Sequence, residues 1–318
     1  MTKPVQSFNM PPLVFGGNVF GWTADKSTSF RLLDALLERG LNYIDSANVY
    51  SYWADGNSGG ESETIIGLWM KERKNRDRMI IATKGGSPMG SGSPNLSKTY
   101  LSEQIDLSLK RLQTDYIDIY YSHKYDSTVS QEETLGAYHQ AIYAGKLKEI
   151  GASNFPLQAL NEAINLSENL GLPRYKFIQP EYNLMERDMF EGAYRKFCLD
   201  NNLIVNSYFT LASGFLTGKY ETEKDTAGKE RQRFVKKYFS ARGQMVLDIL
   251  KRIAHKYGVS VAGVSIAWTM AQPGISAPII SASTVSQLQA FDEALELNLD
   301  HEDLQQLNEV SLKNNSVI

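Results

Sequence analysis

Three short apolar runs near the start of the chain each end on a group that can move or steer a proton. Leu41-Asn42-Tyr43-Ile44-Asp45 stops on a carboxylate and leads through Ser46-Ala47-Asn48-Val49 to Tyr50. Met79-Ile80-Ile81-Ala82-Thr83-Lys84 stops on a lysine, and Tyr116-Ile117-Asp118-Ile119-Tyr120-Tyr121-Ser122-His123 stops on a histidine. A carbonyl reduced by hydride transfer builds negative charge on oxygen, so it needs an acid to protonate it and a donor to polarise it. A phenol, with an unperturbed pKa of about 10, gives up its proton reluctantly. A neighbouring ammonium favours the tyrosinate and lowers that pKa, and a carboxylate paired with the lysine keeps the lysine charged in a partly dry site. Asp45, Tyr50 and Lys84 therefore make a candidate relay with Tyr50 as proton donor. His123 fits as a neutral imidazole donating to the carbonyl, because burial and the neighbouring Lys84 both disfavour a second cation.

These groups must be carried by strands whose ends meet on one face. Apolar runs at 13–17, 41–45, 79–84, 116–123, 147–152, 176–182, 203–207 and 277–280 alternate with helical patterns, which predicts an α/β fold: a parallel (β/α)8 TIM barrel. The active face of such a barrel is the one at the carboxyl ends of its strands. Ser27 is the expected cap of the first helix, whose face is marked by Phe30, Leu33 and Leu37. Pro156 is placed to open a later helix, and a further helix is expected over 188–200. The longest irregular stretch, 208–240, contains Gly214, Gly218 and a basic run, and loops of that length are commonly functional lids.

Length alone would suggest about two domains, but a barrel of alternating strands and helices routinely uses about 250 residues or more as one, so a single barrel domain over 1–318 is expected. The 318 residues are 42% hydrophobic with a formal net charge of -3, which suits a globular chain with a substantial core. That balance gives no electrostatic reason to expect a nucleic-acid partner. The one cysteine, Cys198, has no partner for an intrachain disulfide. Residues 1–8 lack the apolar segment of a secretory signal, and no later run is apolar and long enough to span a bilayer. The expected setting is the cytoplasm, with no membrane partner.

Together these residues resemble the aldo-keto reductase family along nearly the whole chain. The likeness rests on Asn42-Tyr43-Ile44-Asp45-Ser46-Ala47 with Tyr50, Gly59-Gly60-Glu61-Ser62-Glu63, Lys84, His123, Gly151-Ala152-Ser153-Asn154-Phe155, Gln179-Pro180-Glu181-Tyr182-Asn183 and Leu211-Ala212-Ser213-Gly214-Phe215-Leu216-Thr217-Gly218-Lys219-Tyr220. The resemblance implies the barrel, a nicotinamide cofactor bound without a Rossmann domain, no metal, and reduction of a small-molecule carbonyl substrate. It implies catalytic roles for Asp45, Tyr50, Lys84 and His123. It also implies that Ser153, Asn154 and Gln179 hold the nicotinamide carboxamide and that Tyr208 stacks under the ring. Leu211, Ser213, Gly214, Leu216 and Lys219 would follow the pyrophosphate and adjacent ribose, with Ser281, Ser283 and Gln287 at the adenosine end.

The adenosine segment departs from the family pattern: members that prefer NADPH often carry a lysine or arginine where this chain has Ser281 or Gln287. The basic run Lys229, Arg231, Arg233, Lys236 and Lys237 is the expected alternative clamp for a 2′-phosphate, giving NADP as the cofactor, with NAD also possible. Two other functions stay open on sequence alone. Lys84 could serve as a Schiff-base lysine in an aldolase-like barrel, and some relatives of the fold are cofactor-binding regulatory subunits of membrane channels. The sequence leaves the oligomeric state open.

Overall fold

The computed structural model describes residues 10–312, so the N-terminal stretch 1–8 lies outside the described residues. In chain order the elements are β1 (Val14–Gly16), α1 (Lys26–Glu38), β2 (Tyr43–Asp45), α2 (Glu61–Arg73), β3 (Ile80–Gly85), α3 (Lys98–Leu112), β4 (Ile117–Ser122), α4 (Gln131–Tyr143) and β5 (Leu147–Ser153). They continue as α5 (Leu157–Leu170), β6 (Phe177–Gln179), α6 (Ala193–Asp200), β7 (Ile204–Val205), α7 (Gln232–Val235), α8 (Ala241–Tyr257), α9 (Val261–Ala271), β8 (Ile279–Ile280), α10 (Gln289–Glu296) and α11 (His301–Val310). Every strand pair is parallel, in the order β7-β6-β5-β4-β3-β2-β1-β8. The two ends meet through Ser276 N donating to Val205 O at 2.9 Å and Ile279 N donating to Ser207 O at 2.7 Å. The expected (β/α)8 barrel is thus formed. Among the described residues no helix is long and apolar enough to cross a membrane.

Strand alternation sorts the interior into two cores, because successive side chains point to opposite faces. Phe15, Ile44, Ile81, Tyr120, Ile150, Ile178, Val205 and Ile280 pack outward with the helices. Val14, Tyr43, Ala82, Ile119, Tyr121, Phe177, Ile204 and Ile279 form a separate cluster inside the barrel. Two residues further along each strand, the inward positions become Gly16, Asp45, Lys84, His123, Gln179, Asn206 and Ser281. The candidate chemistry therefore occupies the inward layer next above an apolar floor. Gly151 makes room for that floor: a Cβ there would lie 2.5 Å from the Tyr121 ring.

Local chemistry moves two boundaries from their sequence-based places. Asp25, not Ser27, caps α1, its side chain accepting from Thr28 N at 2.7 Å. Ser27 instead accepts from Arg31 Nη1 at 3.0 Å, one turn along. The helix expected from 188 starts only at Ala193, because Gly192 has φ 72° and ψ -124°, which no helix includes. Pro156 does cap α5.

Helix packing gives a paired test of the same substitution at two helical glycines. A Cβ on Gly67 of α2 would sit 2.3 Å from Arg111 O of α3, whereas nothing lies within 4 Å of one on Gly136 of α4. Gly67→Ala should cost about 1–3 kcal/mol through overpacking. Gly136→Ala should gain about 0.5–1 kcal/mol from the smaller backbone entropy loss. Denaturant midpoints that move in the same direction would contradict the contact described.

Candidate active site

The side chains at the ends of β2, β3 and β4 meet above the barrel floor. Lys84 Nζ donates to Asp45 Oδ2 at 2.6 Å, Tyr50 OH at 2.7 Å and Ser46 O at 2.7 Å. Both ion-pair partners are shielded, with Lys84 0% and Asp45 1% exposed. Tyr50 OH also donates to Asp45 Oδ2, at a longer 3.3 Å. Tyr50 rides on a tight turn, Tyr50 N donating to Ala47 O, and Ser51 fixes that turn by adopting φ 70° and donating Oγ to Phe20 O at 2.6 Å. His123 follows β4 by one residue, its N still donating to Gly85 O at 2.8 Å, and its ring meets the Tyr50 ring edge-on at 6.2 Å between centroids. The structure thus brings all four candidate catalytic residues together.

The three acceptors around Lys84 match the three N–H donors of an ammonium. Burial lowers its pKa from 10.5, opposed by the charge of Asp45. Burial, reinforced by Asp45, raises the Tyr50 pKa well above 10. The expected lowering by the lysine is met by an opposing rise, from removing water around the phenol and placing a carboxylate beside it. The resting group is a protonated phenol. Burial first, then the charges of Lys84 and Lys124, hold His123 well below 6.5. Its Nδ1 has no partner among the described residues, so the ring is a neutral imidazole, as expected.

The expected carboxamide set lies beside this cluster. Ser153 Oγ donates to Gln179 O at 2.9 Å. Asn154, in the left-handed region at φ 56°, donates to His123 O at 3.0 Å and accepts from Tyr208 OH at 2.7 Å. Gln179 Nε2 donates to Asp45 Oδ1 at 3.0 Å.

Beyond β7 the backbone turns left-handed at Phe209, Ala212, Ser213 and Gly214. Such turns expose N–H groups to an anion. Lys219 Nζ rests against the bare face of Gly214, 3.3 Å from where a Cβ would be. Leu211 is half-buried, but the Leu216 side chain is fully buried in the outer core. Leu216 could therefore meet a cofactor only through its backbone. Ser281 Oγ donates to Asn18 Oδ1 at 2.5 Å, Ser283 Oγ lies 2.8 Å from Thr23 Oγ1, and Gln287 Oε1 accepts from Ser283 N at 2.7 Å.

The basic run divides instead of acting as one clamp. Lys236 pairs with Glu223 and Lys237 with Glu186, and Arg233 lies over the Phe234 ring. Arg231 is half-buried, its guanidinium 5.5 Å from the Trp22 ring centroid. Burial lowers its pKa from 12.5, and no carboxylate pairs with it among the described residues. Sequence reasoning missed the adjoining contact, Trp22 Nε1 donating to Glu230 Oε2 at 3.2 Å. It spans the chain, and nothing in either segment's spacing announces it. Trp22 also meets Trp53 edge-on at 5.6 Å, and Trp53 meets Tyr50 at 6.1 Å, so an aromatic file runs from the long loop to the phenol.

Comparison with known proteins gives the family. The model of the Aldo/keto reductase family matches residues 12–312. The aldo-keto reductase YhdN of Bacillus subtilis (strain 168) is 33% identical over 301 residues, covering 93% of this chain and 86% of that protein. The uncharacterized oxidoreductase YrpG of the same organism is 32% identical, covering 94% and 91%. An aryl-alcohol dehydrogenase, NADP(+), of Phanerodontia chrysosporium is 31% identical, covering 90% and 77%. The chain belongs to the aldo/keto reductase family. It is an oxidoreductase of a family that generally works with NAD(P)H on small carbonyl compounds.

The neutral His123 generates a stability prediction. Unfolding lets this histidine take up a proton at its ordinary value of 6.5, while the folded site resists protonation until well below it. The unfolded state therefore binds more protons in that window, and stability falls as pH drops below 6.5. His123→Gln should lose less stability than the wild type over the same interval. Equal slopes of denaturant midpoint against pH would show that the ring is not held neutral.

Proposed function

We propose that this protein reduces aldehydes or ketones to alcohols with NADPH, Tyr50 donating the proton to the substrate oxygen. The observation that carries this reading is Lys84 Nζ held at once to Asp45 Oδ2 and Tyr50 OH, beside a neutral His123. A reduced nicotinamide supplies the hydride when bound. His123 donates a hydrogen bond that polarises the carbonyl and fixes its angle of approach. As charge builds on the oxygen, the phenol O–H breaks and the proton moves to the alkoxide. The adjacent ammonium stabilises the tyrosinate left behind, and Asp45 keeps that ammonium charged.

The residues of the chain fit a dinucleotide. Ser153, Asn154 and Gln179 would hold the carboxamide, since they offer both donors and acceptors, and Tyr208 would back the ring. Lys219 beside the left-handed turn at Gly214 suits the pyrophosphate, with Leu211, Ser213 and the Leu216 backbone alongside. Ser281, Ser283 and Gln287 suit the adenosine end. The half-buried Arg231, with no carboxylate paired to it among the described residues, is the group that favours NADPH, because a guanidinium held there can meet the 2′-phosphate with charge-assisted hydrogen bonds. The NADP(+) in the name of the Phanerodontia chrysosporium relative accords with that preference. The Schiff-base reading is disfavoured because every N–H of Lys84 already has an oxygen acceptor, leaving no free amine to attack.

Tyr50→Phe should lower kcat by about 10²–10⁴-fold, the usual worth of a positioned acid, with dinucleotide affinity little changed. Turnover at the wild-type rate would overturn the assignment. Arg231→Ala should weaken NADPH binding by about tenfold or more, as expected for a charge-assisted bond, while sparing NADH. Equal weakening of both would place Arg231 on a phosphate they share.

A further inference from the structure

Gln179 is committed to more than a cofactor contact. Its amide faces Asp45, and a carboxylate only accepts hydrogen bonds, so the group at 3.0 Å from Oδ1 must be the NH2. The two oxygens of Asp45 are thus divided: Oδ1 belongs to Gln179 on β6, while Oδ2 takes Lys84 at 2.6 Å and Tyr50 at 3.3 Å. The long bond to Tyr50 is the informative one. Asp45 is the hydrogen-bond acceptor of the resting phenol proton, and a substrate oxygen must win that proton from it.

We propose that Gln179 is a positioning residue that holds Asp45 back from Tyr50, keeping the phenol proton free to leave for the substrate. This inference rests on the reductase reading above. Gln179 transfers no proton itself. It sits on the inward layer at the end of β6, its backbone carbonyl fixed by Ser153 Oγ at 2.9 Å, so its reach is set by the strand. The phenols of Tyr43 and Tyr121 lie below and bond to Asn206 Oδ1 at 3.4 and 3.3 Å, not to the carboxylate. Without the pull of Gln179 the carboxylate would be free to pivot about Lys84 and close on Tyr50. The charged or titratable groups facing Asp45 and Tyr50 are Lys84 on β3, Tyr43 on β2, Tyr121 and His123 on and after β4, and Tyr208 after β7. Glu63 of α2 acts on Lys84 from behind. Of these only Lys84 carries positive charge, so no other cation could restrain Asp45.

The test compares Gln179→Leu and Gln179→Glu with the wild type, using steady-state kinetics across pH and direct dinucleotide titration. Activity of the wild type and its loss in Tyr50→Phe establish the reductase reading independently. Gln179→Leu should then lose kcat on the order of ten- to a hundredfold, the scale of a sub-ångström to 1 Å misplacement. Its alkaline limb should move to higher pH, because a closer carboxylate makes the phenol harder to ionise. The kcat loss should persist with the reduced form of 3-acetylpyridine adenine dinucleotide phosphate, which lacks the carboxamide amine. Gln179→Glu should recover activity towards acid pH, where a protonated carboxyl can again donate to Asp45, and lose it as pH rises. A loss confined to dinucleotide affinity, an unmoved pH profile in Gln179→Leu, or a pH-independent defect in Gln179→Glu would each overturn the proposal. Those results would leave the reductase reading intact.

Discussion

A lysine ammonium with no exposed surface is the constraint on which the rest of this structure depends. Stripped of water, the Lys84 charge costs several kcal/mol unless oxygens replace the lost solvent on every N–H. The fold supplies three, from the Asp45 carboxylate, the Tyr50 phenol and the Ser46 carbonyl. All three come from one short stretch of chain, Asp45 to Tyr50, that begins on the last residue of β2. Its path is set by the β2–β3 ladder, which continues past the strand with Ser46 N donating to Ala82 O and Asn48 N to Lys84 O. Parallel pairing therefore fixes where the ammonium lies relative to its acceptors before any ligand arrives. Removing any one acceptor would leave a buried donor unpaired, so the cluster holds together as a unit.

Much of this was legible in the sequence because strand alternation is rigid. Asp45, Lys84, His123 and Gln179 lie two residues beyond Tyr43, Ala82, Tyr121 and Phe177 of the apolar floor, so polar endings on separate strands necessarily share a level. The resemblance to a known family named the same residues. What the sequence hid was of two kinds. Competition between neighbouring caps decided the start of α1: Asp25 reaches Thr28 N, while Ser27 is drawn to Arg31. Long-range pairings were the other kind. A run of five cations reads as one basic face until the fold shows carboxylates claiming Lys236 and Lys237 and Arg231 lying against the Trp22 ring.

The mouth of the barrel concentrates backbone strain. Phe209, Ala212 and Ser213 all have left-handed φ, each at a cost of about 1–3 kcal/mol for a residue with a side chain. Specific bonds hold them there: Asn183 Nδ2 donates to Phe209 O, and Thr210 Oγ1 to Ile279 O. The same turn carries Tyr208, whose hydroxyl reaches Asn154 Oδ1. The long loop is fastened by Phe234 against Phe209, Glu230 onto Trp22 and Lys237 onto Glu186. That fastening leaves Arg231 against the Trp22 ring. In the proposed reductase, an extended anionic ligand lying between the strained backbone and Arg231 would account for the placement of both.

The protonation of the resting site also bears on the proton step. Burial and Asp45 together keep the Tyr50 proton on oxygen, and burial removes the charge from His123. In the proposed reductase, that state is already the one needed to deliver a proton to a forming alkoxide. Alcohol oxidation would require the opposite beginning, a tyrosinate ready to accept a proton, and would have to work against both the desolvation and the neighbouring carboxylate. At a given pH the balance between reduction and oxidation is set by the two redox couples, and the protonated phenol is the form of Tyr50 that enters the proposed reduction step. The ammonium serves both directions, since it lowers the cost of the tyrosinate whenever it forms, but it does not decide which protonation state the empty site adopts. That choice is made by the dryness of the barrel mouth and by how far Asp45 is held from the phenol.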